Sequence, residues 1–255
     1  MNFFAAAHSD IGIKRETNQD SVLVQIADTD YGEVCLSVIC DGMGGYSKGE
    51  LASATMIVNF KQWFEKDFPK LLYQGIKPEN LKRAWEDLIF NTNNQISNYS
   101  TLHGARLGTT VAALLLVGEM YYIIHVGDSR VYLMDRNLSQ LTKDQTFVQR
   151  EMDAGRMTPE QALSDPQRNV LLQCVGASEV IEPDFMLGPV TSDEMFLLCT
   201  DGFRHLLTDE EIYANTNPIA VRAEEEMKKR IIYLTDLNKY RREKDNISSI
   251  LVRVN

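Results

Sequence analysis

The chain has 255 residues, 44% of them apolar, and a formal net charge of −10. That length and apolar content allow a substantial core within one domain. The acidic balance, without any basic stretch interleaved with aromatics, excludes a general nucleic-acid binder.

Strand-like runs begin with Phe3 to His8, Ser21 to Ile26 and Val34 to Cys40, each short and apolar or β-branched. Two helices follow. Ala52, Met56, Phe60 and Trp63 line one side of the first; the second runs from Pro78 to about Ser100, anchored by Leu81, Trp85, Leu88 and Ile96. A capping box, Ser47 with Glu50, is expected to open the first helix. Further strands are expected at Thr109 to Val117, Met120 to Val126, Val131 to Asp135, Asp184 to Leu187, Met195 to Cys199 and Ile247 to Val254. Gly118-Glu119 and Arg136-Asn137 read as hairpin turns that pair their flanking strands antiparallel. A long helix is expected over about Ala220 to Tyr240. Residues 141–176 form a polar insertion, with Thr158-Pro159-Glu160-Gln161 as a helix start and Gly155 ending a short helix before it; we read it as a flap on a single domain spanning 1–255.

The chemistry concentrates at the ends of these runs. Asp41-Gly42-Met43-Gly44-Gly45 follows one strand and Asp201-Gly202 another. Gly127-Asp128-Ser129-Arg130 follows a third, while Asn18-Gln19-Asp20 and Asp245-Asn246 immediately precede strands. Acidic residues repeated at strand ends predict one carboxylate cluster, which needs a cation to offset its own repulsion. Asp41 between a strand and glycines whose carbonyls can approach a ligand suits a hard divalent ion. The four cysteines and four histidines form no spaced ligand pair, so zinc is not selected and the thiols are expected to be reduced and mostly buried. Other motifs fail. Gly44 to Gly49 has P-loop glycine spacing but Glu50 where lysine is needed, and Asp28-Thr29-Asp30-Tyr31-Gly32 lacks the ligands of a calcium loop and reads as a turn.

In chain order, Gly12-Ile13-Lys14-Arg15-Glu16-Thr17-Asn18-Gln19-Asp20, Val38-Ile39-Cys40-Asp41-Gly42-Met43-Gly44-Gly45, Gly108-Thr109-Thr110, Gly127-Asp128-Ser129-Arg130, Thr200-Asp201-Gly202 and Lys244-Asp245-Asn246 resemble the protein phosphatase 2C (PPM) family. The stretch from Leu141-Thr142-Lys143-Asp144 to Pro166-Gln167-Arg168-Asn169 resembles its bacterial branch. The resemblance implies an α+β fold, a four-layer α/β/β/α sandwich of two mainly antiparallel sheets flanked by helix pairs. It implies metal-dependent hydrolysis of phosphoserine and phosphothreonine in proteins by a water activated between two Mn²⁺ or Mg²⁺ ions, with a weaker third ion. By match, Asp41 bridges two metals, the Gly42 carbonyl binds one, and Asp201 and Asp245 complete the protein ligands. Asp20 steadies the cluster through metal-bound water, Arg15 holds the phosphate, and Asp128 is a ligand of the third metal.

Three positions depart from the wider family. Met43 stands where many eukaryotic members carry a histidine, as is usual in bacterial members, so the leaving group is protonated by water. His205 replaces an Asp that helps hold the third metal, and is expected to weaken or retune that site and make it pH-sensitive. Gln145 replaces a flap histidine and bears on substrate handling. The resemblance further implies an opposing serine/threonine kinase as partner. A pseudophosphatase that binds phosphoproteins and a small-metabolite phosphohydrolase are the alternatives. No apolar run reaches transmembrane length and Met1-Asn2-Phe3-Phe4 lacks the features of a secretory signal, so the expected location is the cytoplasm; a monomer is expected because no heptad demands a partner.

Overall fold

A computed structural model describes residues 1–44 and 48–255. The expected Ser47–Glu50 capping box includes Ser47 and so lies outside the described residues.

The strands β1 (Phe3–Asp10), β2 (Ser21–Thr29), β3 (Gly32–Cys40), β4 (Gly42–Gly44), β5 (Leu107–Thr109), β6 (Val111–Val117), β7 (Met120–Val126), β8 (Arg130–Met134), β9 (Leu138–Gln140), β10 (Asp184–Pro189), β11 (Met195–Cys199) and β12 (Ile247–Val254) are joined by eight helices among the described residues. These are α1 (Gly49–Lys66), α2 (Phe68–Tyr73), α3 (Pro78–His103), α4 (Phe147–Asp153), α5 (Pro159–Ser164), α6 (Asp201–Arg204), α7 (Asp209–Thr216) and α8 (Glu224–Tyr240). One five-stranded sheet has the order β1-β12-β11-β8-β9 and the other β10-β7-β6-β3-β2, every pairing antiparallel.

Alternation along the strands makes the layers. On β3, Val34, Leu36, Val38 and Cys40 face α1 and α3, where Met56, Phe60, Trp63, Trp85 and Ile89 are buried. The intervening Cys35 and Ile39 pack between the sheets against Phe196, Leu198, Ile250 and Val252. The far face, with Leu197, Cys199 and Leu251, is covered by Ile212 of α7 and Met227, Ile231 and Leu234 of α8. The architecture is therefore the α+β, four-layer α/β/β/α sandwich of two antiparallel sheets. The four thiols are free, and all but the partly exposed Cys174 are buried.

Several local expectations need correction. Thr109 belongs to β5, which pairs with β4 as a separate ribbon, and does not extend β6. Val111 starts β6 because Thr110 turns to brace Asp41. The last long helix starts at Glu224, not Ala220, since residues 217–220 form a turn on the Asn217 side chain. Leu88 is only partly buried, with Ile89 taking the core position. The turn expected within Asp28–Gly32 is found as the β2–β3 hairpin, closed by the Thr29–Gly32 pair, with Gly32 at φ 102° and the Tyr31 amide donating to Thr29 Oγ1. Asn217, Gly104 and the two capping boxes at Thr158–Gln161 and Thr208–Glu211 close helix ends as their chemistry dictates.

Candidate functional site

Strand register alone carries the acidic motifs to one end of both sheets. Ser21 pairs with Cys40, so Asp20 and Asp41 leave adjacent strand ends. Cys199 pairs with both Ser249 and Arg130, which sets Asp201 beside the start of β12 and the Gly127–Arg130 turn. Asp10 pairs with Ile247, so the loop carrying Arg15 departs beside Asp245.

The Asp41 backbone and the Asp20 carboxylate are braced by residues of the same motifs. The Asp41 amide donates to Thr110 Oγ1 at 2.9 Å, and its carbonyl accepts from the Thr110 amide and the Thr109 hydroxyl at 2.9 and 3.0 Å. Gly42 donates to the Gln19 carbonyl at 3.1 Å. A Cβ at Gly42 would stand 2.3 Å from the Gly49 carbonyl and 2.4 Å from that of Gln19, so only glycine fits. Asp20 is buried and accepts from the Thr200 hydroxyl at 3.0 Å, a bond that ties the two sheets together. Asn246 donates to the carbonyls of Ile11 and Thr17 and accepts from the Gln19 amide, which clamps the Arg15 loop to β12.

Arg15 makes a bidentate pair with Asp245, at 2.9 and 2.7 Å. Asp128 faces Arg204, whose Nη2 lies 3.4 Å from its Oδ2. At Asp201, Oδ2 is 3.4 Å from His205 Nε2, and Nδ1 of that ring is 3.6 Å from Glu243 Oε2. Burial holds the imidazole pKa down, but Glu243 and Asp201 outweigh it and raise it above its usual value. As oriented here, no three carboxylate, imidazole or thiolate side chains among the described residues stand close enough together to cage an ion.

The residues nonetheless fit divalent cations at Asp41, Gly42, Asp201 and Asp245. Burial, then the charges of Asp20, Asp201, Asp128 and Asp245, push the Asp41 carboxyl well above its usual range. Burial lifts Asp20 to about 7 against its hydroxyl partners, with Asp201 and Asp245 adding to the rise. Asp201 Oδ1 is buried with no hydrogen-bond partner. Carboxylates so placed gain most from a hard positive charge, and all-oxygen donors suit Mn²⁺ or Mg²⁺.

Arg15, Gln19, Asp128, Asp245 and Gly44 line a cleft of about 1130 Å³. Its other wall comes from α4 and α5 through Val148, Met152, Ala162 and Leu163, with Arg168 beside them. Gln145 does not face this cleft. Its Oε1 accepts from the Gly127 amide at 2.7 Å and its Nε2 donates to Asp184 at 2.8 Å, so it fastens the root of the insertion to the Asp128 turn. Asp144, Arg130, Arg204 and Glu243 also line the cleft, and sequence reasoning assigned them no role. The one available signal was Arg204, placed one helical turn after Asp201 and therefore on its face of α6.

The fold and this site define a protein phosphatase 2C, and the chain belongs to that family, whose model matches residues 13–237. It is 38% identical over 210 residues to the serine/threonine protein phosphatase PstP of Mycobacterium tuberculosis, covering 81% of this chain. The alignment covers 37% of PstP, so the chain spans well under half the length of that relative. With the serine/threonine phosphatase stp of Listeria monocytogenes it shares 30% identity over 223 residues, covering 84% of this chain and 82% of stp. The catalytic domain of PstP, solved in complex with two manganese ions, matches with a TM-score of 0.80 at 28% identity, covering 99% of this chain and 98% of that one. Among the described residues no helix is long and apolar enough to cross a membrane.

Proposed function

We propose that the chain hydrolyses phosphoserine and phosphothreonine in proteins as a metal-dependent phosphatase. The carrying observation is the group of carboxylates at one sheet end, with Asp20 and Asp41 pushed upward in pKa by burial and by their acidic neighbours. Asp41, the Gly42 carbonyl, Asp201 and Asp245 would hold two Mn²⁺ or Mg²⁺ ions, with Asp20 steadying them. When bound, two such ions offset the phosphate's negative charge and bring the pKa of a water toward neutrality.

The chain's own residues do the rest. Arg15 offers a planar fork that matches two phosphate oxygens, and must leave Asp245 to do so. Its side chain is 50% exposed, so opening that pair costs about 0–1 kcal/mol. Thr109, Thr110 and Gln19 keep the Asp41–Gly42 turn fixed meanwhile. Met43 carries no proton to give, so the leaving oxygen takes one from water. Residues 141–176 act as a flap whose Val148, Met152 and Leu163 receive side chains flanking the phosphoresidue. In this reading the chain is one domain that works as a monomer in the cytoplasm, opposite a serine/threonine kinase.

The test is hydrolysis of a phosphothreonine peptide across a Mn²⁺ titration, with Asp41→Asn and Asp245→Asn as controls. Turnover that rises with the metal and is lost in both variants is expected. A folded, metal-loaded chain that binds the peptide without turning it over would sink the proposal.

A further inference from the structure

We propose that Arg204 stands in for a third cation: its guanidinium balances Asp128, so the site takes two divalent ions and Asp128 is not a metal ligand. The inference rests on the two-cation reading above and limits its ion count. It corrects the assignment of Asp128 that the family resemblance implies.

The Arg204 side chain is 13% exposed, and an arginine so enclosed needs carboxylate partners. Its Nη2 reaches the Asp128 carbonyl at 3.2 Å, Asp128 Oδ2 at 3.4 Å and Asp144 Oδ2 at 3.4 Å. Asp144 is already engaged by the Arg130 fork, at 2.8 and 2.7 Å. Asp128 is thus the carboxylate that has Arg204 as its partner, with its own side chain 9% exposed.

The next residue works in the same direction. His205 brings an imidazole, not a carboxylate, to within 3.4 Å of Asp201 Oδ2 and 3.6 Å of Glu243 Oε2. A hard divalent ion needs about six oxygen ligands at roughly 2.0–2.6 Å. Beside Asp128 the structure places the Arg204 guanidinium, and the neighbouring carboxylates are taken up elsewhere, Asp144 by the Arg130 fork and Asp201 Oδ2 by the His205 imidazole. A tethered arginine cannot be removed by a chelator or diluted away, so it occupies the Asp128 carboxylate at any metal concentration.

The experiment counts manganese on the purified chain by equilibrium dialysis and electron paramagnetic resonance, up to millimolar free ion. Wild type, Arg204→Lys and Asp128→Asn should each saturate at two ions. The Arg204→Thr/His205→Asp double variant, checked for folding by circular dichroism, should gain a third, weaker class of sites. A third ion on wild type that disappears in Asp128→Asn would overturn the inference while leaving the two-cation reading intact. So would a folded double variant that still stops at two. Failure of wild type to bind manganese would remove both.

Discussion

Arg15 and Asp245 show how one side chain pair separates stability from function. The pair is bidentate but half open to solvent, so its net contribution to folding is about 0–1 kcal/mol. Arg15→Lys should therefore melt within a degree or two of wild type. A lysine cannot present two parallel N–H donors to a phosphate. Losing one charge-assisted bond, about 1.5–3 kcal/mol, should raise KM for a phosphopeptide roughly 10–100-fold. Steady-state kinetics alongside a thermal melt checks both halves; an unchanged KM would show that Arg15 does not hold the phosphate. The residue types needed here were readable from sequence, since Arg15, Asp20, Asp41 and Asp201 sit in short motifs at strand ends. The partners were not, because Arg15 and Asp245 are 230 residues apart and only the pairing of β1 with β12 makes them neighbours.

Among elements, the loop between β1 and β2 depends on one side chain from the other end of the chain. Asn246 is buried and makes three hydrogen bonds to that loop, two as donor and one as acceptor. Asn246→Ala removes all three and leaves the Gln19 amide without its acceptor. At about 1 kcal/mol for each bond, the loss should be about 2–4 kcal/mol. Hydrogen exchange over residues 11–19 should accelerate, with turnover falling through a misplaced Arg15. Exchange as slow as in wild type would show that β1 and β2 fix the loop without it. The longer elements followed from apolar periodicity, and β11 and β12 have the bounds the sequence predicts. The short ones did not. The β4–β5 ribbon has three residues a side, two of them glycines on β4, and exists because the backbones at Gly42 and Thr109 can pair closely.

For the whole molecule, one contribution to acid sensitivity comes from a histidine in the sheet that faces α1 and α3. His125 is fully buried on β7, and its ring makes no well-formed hydrogen bond, only a weak approach to the Ser129 backbone. Burial brings its pKa down to about 4, against the pull of Asp144 and Asp184 and with Arg130 adding to the fall. The unfolded chain takes up the proton near 6.5 and the folded chain only near 4. Between those values the unfolded state binds more protons, so stability is intact above about pH 6.5 and drains as pH falls. At pH 5 the loss should be about 2 kcal/mol from this residue. Asp20 and Asp41, raised by burial, work with the opposite sign over the same range, so the readout is a difference: between pH 7.5 and pH 5 in urea unfolding, wild type should lose about 2 kcal/mol relative to His125→Leu. Equal pH dependence in the two proteins would assign the acid loss to other groups.

While the four-layer fold class came with the family resemblance of its motifs, the sequence alone determined the antiparallel hairpins, the main helices and the acidic positions. Those depend on local periodicity and on residue types that a strand end or a tight turn demands. Tertiary structure decided what each acidic group faces. Asp144, Arg130 and Arg204 are separated by 14 to 76 residues from the partners they neutralise. Charge balance in a buried site depends on three-dimensional neighbours, and register, not spacing, sets those neighbours. The same holds for Gln145, whose side chain is used up in bonds to Gly127 and Asp184. A motif names the donor atoms, and packing decides which of them have already been satisfied.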